Sequence, residues 1–320
     1  MRAIVFYATY GHWTQALLNA GIPVLSHYQP DVTLDPCLRM EQDKVSRTLL
    51  MMNFPNVMIS KPIAASNDID LMVGSPPCIG FSKASPISRL DHPCNKHTLN
   101  FAEAVAIEVS PKHFLMEMVP EILTKGKPLF QEYCDILRPD YNYDYAVMDA
   151  AEYGSAQHRN RLYVFGRRRD LGNIESPLCT LNMQPALSIS DVVPEEVSRK
   201  YDVDNYKPDT RMLMSLLRTD GKPRAGPFSL LATPERKAKR TLTGKSISFT
   251  LVKFSTHNQI YQREKGERFF STPELQLIMG FPLSYRFPDK NVQEKSRMIA
   301  SGVDIRFATY LLKHIRDVLE

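Results

Sequence analysis

A chain of 320 residues, 43% hydrophobic and 23% charged, can bury a sizeable core, and it contains no apolar run long enough to span a bilayer. Its net charge of +5 permits a polyanionic partner without requiring one. Five cysteines (Cys37, Cys78, Cys94, Cys134, Cys179) with no Cys-x-x-Cys pair argue against a disulfide framework and against a structural zinc site. The start, Met1-Arg-Ala-Ile-Val-Phe, lacks a signal peptide's apolar core and cleavage site, so a reducing, cytoplasmic setting is expected.

Ile4 to Ala8 reads as a strand, Thr9-Tyr10-Gly11-His12 as a turn, and Trp13 to Ala20 as a helix closed by Gly21. Strand, glycine turn and helix can open a nucleotide-binding sheet, although one glycine is not a full phosphate-binding fingerprint. Residues 22–36 carry little signal. A strand is then expected to end in Glu41, with a helix running to Asn53 ahead of Pro55. An acidic side chain at a second strand's end grips ribose hydroxyls in doubly wound folds; the alternative is an exposed carboxylate favoured by the helix dipole. Val57 to Ser60 reads as a third strand.

The run Asp70-Leu-Met-Val-Gly-Ser-Pro-Pro-Cys78-Ile-Gly-Phe-Ser82 is the organising stretch. Leu71 to Val73 form a buried strand end, and Gly74 with Pro76-Pro77 stop it abruptly. A thiol is thereby delivered at the carboxyl end of a strand, where α/β sheets place ligands, and the prolines and Gly80 argue against an inert core cysteine. Ser82 to Asn100, with Lys83, Arg89, His92 and Lys96, has the composition of a flap. A helix over Thr98 to Val109 follows, then a strand from Pro111 that ends in Glu117 and is stopped by Pro120. A carboxylate there is costly unless it has a partner or a function. After a helix (Leu129 to Leu137) and a strand (Tyr141 to Met148), Gln157-x-Arg159-x-Arg161 places an amide and two arginines on one face of a further strand.

From Asp170 to Glu267 the patterning degrades under repeated prolines, marking a second, irregular domain. Arg236-Lys237-Ala-Lys239-Arg240 there could contact phosphate or form a solvated turn. Near the end, Thr272 is expected to N-cap a helix with Pro273 at its first position and Gly280 at its close, and a last helix spans Ile305 to Val318.

Gly-Ser-Pro-Pro-Cys78-Ile-Gly-Phe-Ser, Phe-Leu-Met-Glu117-Met-Val, Ala-Gln157-His-Arg159-Asn-Arg161 and Thr272-Pro-Glu-Leu-Gln-Leu-Ile-Met-Gly-Phe-Pro, in this order, resemble the motifs of the DNA cytosine carbon-5 methyltransferase family. The resemblance implies an α/β S-adenosylmethionine-dependent methyltransferase with a Rossmann-like doubly wound sheet and a second, smaller, irregular target-recognition domain. It implies a catalytic and cofactor domain over 1–168, target recognition over 169–267, and a segment 268–320 that returns to the catalytic domain. It makes Cys78 the nucleophile toward carbon 6 of a flipped-out cytosine and Glu117 a donor to ring nitrogen 3. Arg161 would hold the carbonyl oxygen, Arg159 and Ser82 the flanking phosphates, and Gln157, Arg236 and Lys237 further DNA contacts. S-adenosylmethionine would meet Tyr7, Gly11, Glu41, Gly74, Pro76, Ser301 and Val303. Thr9, His12, Lys61, Ser301 and Asp304 differ from the family's usual residues, all on the cofactor side. The expected partner is double-stranded DNA, without a membrane, and the expected state is a monomer. The alternative is a relative that binds DNA with impaired or no methylation, uses another donor, or works with a partner subunit.

Overall fold

The structure is a computed structural model that describes residues 1–28, 40–60, 69–77, 80–81, 91–202, 241–252, 259–264 and 266–320, with only the backbone of residues 28, 40–43 and 60. The strands are β1 (Ala3–Phe6), β2 (Val24–Tyr28), β3 (Met58–Ser60), β4 (Leu71–Gly74), β5 (His113–Met118), β6 (Tyr141–Asp149) and β7 (Asn160–Arg168); β1, β4 and β5 are short and buried along their whole length. They assemble into one sheet in the order β3-β2-β1-β4-β5-β7-β6. The first five pair in parallel, while β7 runs antiparallel to both β5 and β6.

Alternate residues along the central strands enter two different cores. Ala3, Val5, Leu71, Val73 and Leu115 face one, and Ile4, Phe6, Met72, Phe114 and Met116 face the other. A sheet with both faces buried needs helices on both sides. Here α1 (His12–Asn19) and α2 (Met40–Asn53) precede β2 and β3, whereas α3 (Lys96–Glu103) and α4 (Lys127–Leu137) flank β5. Short helices α5 (Pro177–Thr180), α6 (Ile189–Val192) and α7 (Glu195–Arg199) follow β7. A three-stranded sheet comes next, of β8 (Thr241–Leu242), β9 (Ile260–Arg263) and β10 (Gly266–Phe269). The chain closes with α8 (Thr272–Met279), α9 (Val292–Ala300) and α10 (Ile305–Leu319). Helix α10 lies along α1: Arg316 donates to the Ala20 carbonyl at 2.6 Å, satisfying the helix's carboxyl end. Among the described residues no helix is long and apolar enough to cross a membrane.

Three expectations need correction. The second strand is Val24–Tyr28, in the stretch that carried little signal, and Glu41 sits in the first turn of α2, not at a strand end. The N-cap of α8 is Ser271, whose backbone N–H and hydroxyl both donate to Glu274 at 2.8 Å. The strand that carries Arg161 begins only at Asn160, so Gln157 and Arg159 precede it.

Candidate active site

Strand order reverses between β1 and β4, and their carboxyl ends lie side by side, with Phe6 paired to Gly74. Ligands of open α/β sheets bind at such a reversal. The Trp13 indole N–H bridges the two ends, donating to the Ser75 hydroxyl at 2.8 Å. Gly74 is required by packing: a Cβ would press on the Phe101 ring and lie 2.8 Å from the Phe6 carbonyl. Pro76 is buried beside it. Cys78, Ser82, Lys61, Arg236 and Lys237, and the side chain of Glu41, lie outside the described residues. Beyond Cys78 the chain is described again at Gly80 and Phe81, with the Phe81 ring wholly buried.

One strand over, Glu117, the penultimate residue of β5, stands opposite Tyr163 of β7, two residues from Arg161 on the same face. Arg161 Nε lies 2.9 Å from Glu117 Oε1, with 17% and 7% of the two side chains exposed. The carboxylate therefore has the cationic partner that its burial demands, and Arg161 keeps partial exposure.

The neighbouring residues of the Gln-x-Arg-x-Arg motif point elsewhere, which corrects the expectation that all three share one outward face. Arg159 is buried, and its guanidinium donates to the carbonyls of Leu251 (3.2 Å), Ala300 (3.1 Å) and Gly302. Burial, with Arg161 nearby, pulls its pKa down to about 10, so it remains a cation at neutral pH. Gln157 is fully buried; it donates to Asp304 Oδ2 at 2.7 Å and accepts from the Leu251 N–H. Both residues fasten the C-terminal segment to the sheet and leave Arg161 as the motif's site-facing member.

On the cofactor side the β1–α1 loop bends sharply, with Tyr7, Thr9 and Gly11 at φ 55°, 41° and 77°. Gly11 fits because Phe54 and the Tyr285 hydroxyl occupy the space a Cβ would need, and Tyr285 donates to the Tyr10 carbonyl at 2.7 Å. Ser46 of α2 donates to the Thr9 carbonyl. His12 turns away from the loop: its Nε2 lies 2.8 Å from the Ile299 carbonyl, and its ring abuts Phe281 and Gly302. Burial drops its pKa to about 3, so it is neutral. Ser301 is exposed, its hydroxyl donating back to the Arg297 carbonyl at 2.6 Å, and Val303 is fully buried. Asp304 is fully buried; it caps α10 through the Phe307 N–H and accepts from Ser155 at 2.6 Å and from Gln157. Burial raises its pKa against those three donors.

The amino end of α1 opens at this crevice with no side-chain cap and no acidic residue in its first turn, and His12, Trp13 and Thr14 are buried. An uncapped helix amino terminus at a sheet's switch point suits an anionic group. These residues therefore fit the carboxylate of an amino-acid-derived cofactor. Ser155 and Asp304 belong to the site's support but were not singled out as such from sequence. The available signal was the cap pattern Asp304-x-x-Phe307 ahead of an amphipathic helix.

The molecule is an α/β protein whose seven-stranded sheet brings the Glu117–Arg161 pair beside the strand end that leads into Pro76-Pro77. The chain belongs to the C-5 cytosine-specific DNA methylase family, whose model matches residues 18–317. It is 30% identical over 275 residues to type II methyltransferase M.MthTI of Methanothermobacter thermautotrophicus, covering 79% of this chain and 80% of that protein. It is 22% identical over 327 residues to M.HgiDI of Herpetosiphon aurantiacus, covering 100% and 95%. The fold superposes on the Entamoeba histolytica methyltransferase EhMeth (TM-score 0.68, 15% identity, 100% and 99% coverage). It also superposes on the S. pombe Dnmt2 methyltransferase (0.65, 17%, 100% and 99%). The protein is thus a DNA cytosine-5 methyltransferase of the S-adenosylmethionine-dependent class.

Proposed function

We propose that the chain methylates carbon 5 of a cytosine flipped out of duplex DNA, through a covalent bond from Cys78. The thiolate adds to ring carbon 6, electron density moves onto carbon 5 and toward nitrogen 3 and the carbonyl oxygen, and carbon 5 becomes nucleophilic. S-adenosylmethionine supplies the electrophilic methyl group. Loss of the carbon 5 proton to water then lets the Cys78–carbon 6 bond break and restores the aromatic ring. Glu117, once protonated, would donate to nitrogen 3 and Arg161 would donate to the carbonyl oxygen, where negative charge develops. The observation that carries this reading is their 2.9 Å ion pair near the end of β5, with Arg161 partly exposed. The amino end of α1 and the backbone around Gly11 would hold the cofactor's carboxylate, and Pro76 with Val303 would close its apolar part. Ser82 and the 169–267 segment, Arg236 and Lys237 included, would contact DNA. The named type II relatives support sequence-specific modification as the biological setting.

The alternative of an S-adenosylmethionine-independent relative loses support here, because three of the five departures have structural partners: His12 the Ile299 carbonyl, Ser301 the Arg297 carbonyl, and Asp304 the Ser155 hydroxyl. Mass spectrometry of the protein on duplexes containing 5-fluorocytosine, with S-adenosylmethionine present, should show a covalent adduct that Cys78→Ser abolishes. Absence of an adduct, together with calorimetry showing no cofactor binding with or without DNA, sinks the proposal.

A further inference from the structure

We propose that Tyr7 and His97 form a positioning pair that ties the cofactor-side loop to both flanks of the Cys78 segment. The inference rests on Cys78 being the nucleophile but is read out separately from it. The Tyr7 hydroxyl lies 2.6 Å from His97 Nδ1, and both side chains are at most 2% exposed. Tyr7 holds a left-handed backbone (φ 55°), which an aromatic residue adopts only where its surroundings enforce it. Those surroundings are the edge-on rings of Phe6 at 4.5 Å and His97 at 5.2 Å.

His97 stands in the first turn of α3, and that helix touches the nucleophile segment on both sides. Before it, the Phe101 ring covers Gly74 so closely that no Cβ fits. After it, Asn95, the residue that leads into α3, lies where a Cβ on Gly80 would have to be. Helix α3 and the Asn95 that leads into it thus hold Gly74 and Gly80, four residues before and two after Cys78 in the sequence, against a common support. The Tyr7–His97 bond joins that support to the end of β1, where the cofactor loop begins. Small displacements of a nucleophile cost rate steeply, so a bond that sets this register acts on the chemical step and not on affinity.

Tyr7→Phe keeps the ring and removes the hydroxyl, and His97→Gln removes the ring nitrogen while leaving a polar side chain. Hydrogen exchange of peptides covering Gly74 to Phe81 should quicken about fivefold in either variant, while the β6–β7 peptides keep their rates. Adduct formation on 5-fluorocytosine duplexes should slow about fivefold to tenfold, with affinity for DNA within about twofold of the parent in both variants and affinity for S-adenosylmethionine within about twofold in His97→Gln. The double variant should be no slower than the worse single one. Unchanged exchange over 74–81, or a uniform rise across all peptides, overturns the proposal whatever the activity does. A confined rise in a protein whose parent forms no adduct keeps the coupling and removes Cys78 as the nucleophile.

Discussion

Arg159 and Arg161 are two residues apart and have opposite occupations. Arg159 spends its guanidinium on three backbone carbonyls from two distant segments, and Arg161 faces Glu117 at the site. Arg159→Met should therefore lower stability by about 3 kcal/mol, because three buried acceptors lose a charged donor. Chemical denaturation measures that loss. Arg161→Met should unfold at nearly the parent's midpoint but reduce the rate of adduct formation by about 100-fold, since it removes charge stabilisation where charge develops. A variant pair with these effects exchanged would assign the catalytic arginine to position 159. Sequence placed both in one motif and could not separate them, because the partners of Arg159 lie about 90 to 140 positions away, Leu251 in the stretch without periodic pattern and Ala300 and Gly302 at the carboxyl end of α9.

At the scale of elements, α10 depends on a residue that sequence comparison marked only as a departure. Asp304 stands where the family's usual motif has proline, and it caps the helix while accepting from Ser155 and Gln157 in a fully buried site. Losing the cap costs about 1 kcal/mol and stranding two buried donors about 1–3 kcal/mol more. Asp304→Ala should thus destabilise the protein by about 2–4 kcal/mol in urea melts, and Asp304→Asn by less, because an amide oxygen can still cap. Equal losses in the two variants would mean that the charge, not the cap, is what the site requires. The strands with strong apolar runs (Ala3–Phe6, Leu71–Gly74, His113–Met118) were legible from their pattern, as was α10 itself. Strand β2 was not, because Ser26 and His27 are buried polar residues that break the apolar run. His27 is tolerated there because its Nε2 lies 2.8 Å from the Thr14 hydroxyl.

At the scale of the whole molecule, His12, His27 and His113, all buried, set a common pH response. Burial is the largest cause at each, lowering His12 to about 3, and His27 and His113 to about 4, from an ordinary value near 6.5. The folded protein keeps these rings neutral at pH values where the unfolded chain protonates them. Below pH 6.5 the unfolded state therefore binds more protons, and stability falls as the pH drops toward 4, where the folded-state groups begin to titrate. Each ring contributes up to about 1.4 kcal/mol per pH unit in that window. Asp304, raised by burial, opposes the trend wherever it titrates. The three sites have different surroundings: His12, at the start of α1, against the C-terminal segment; His27, on β2, against Thr14; and His113, at the start of β5, beside Asp70 and Arg167. Because they share no partner, their contributions should add. Urea melts from pH 7 to pH 5 should show stability declining with a slope of several proton equivalents, and His27→Gln should remove close to one of them. A flat profile between pH 7 and pH 5 would mean that these rings become protonated within the folded protein and that their burial is relieved by solvent.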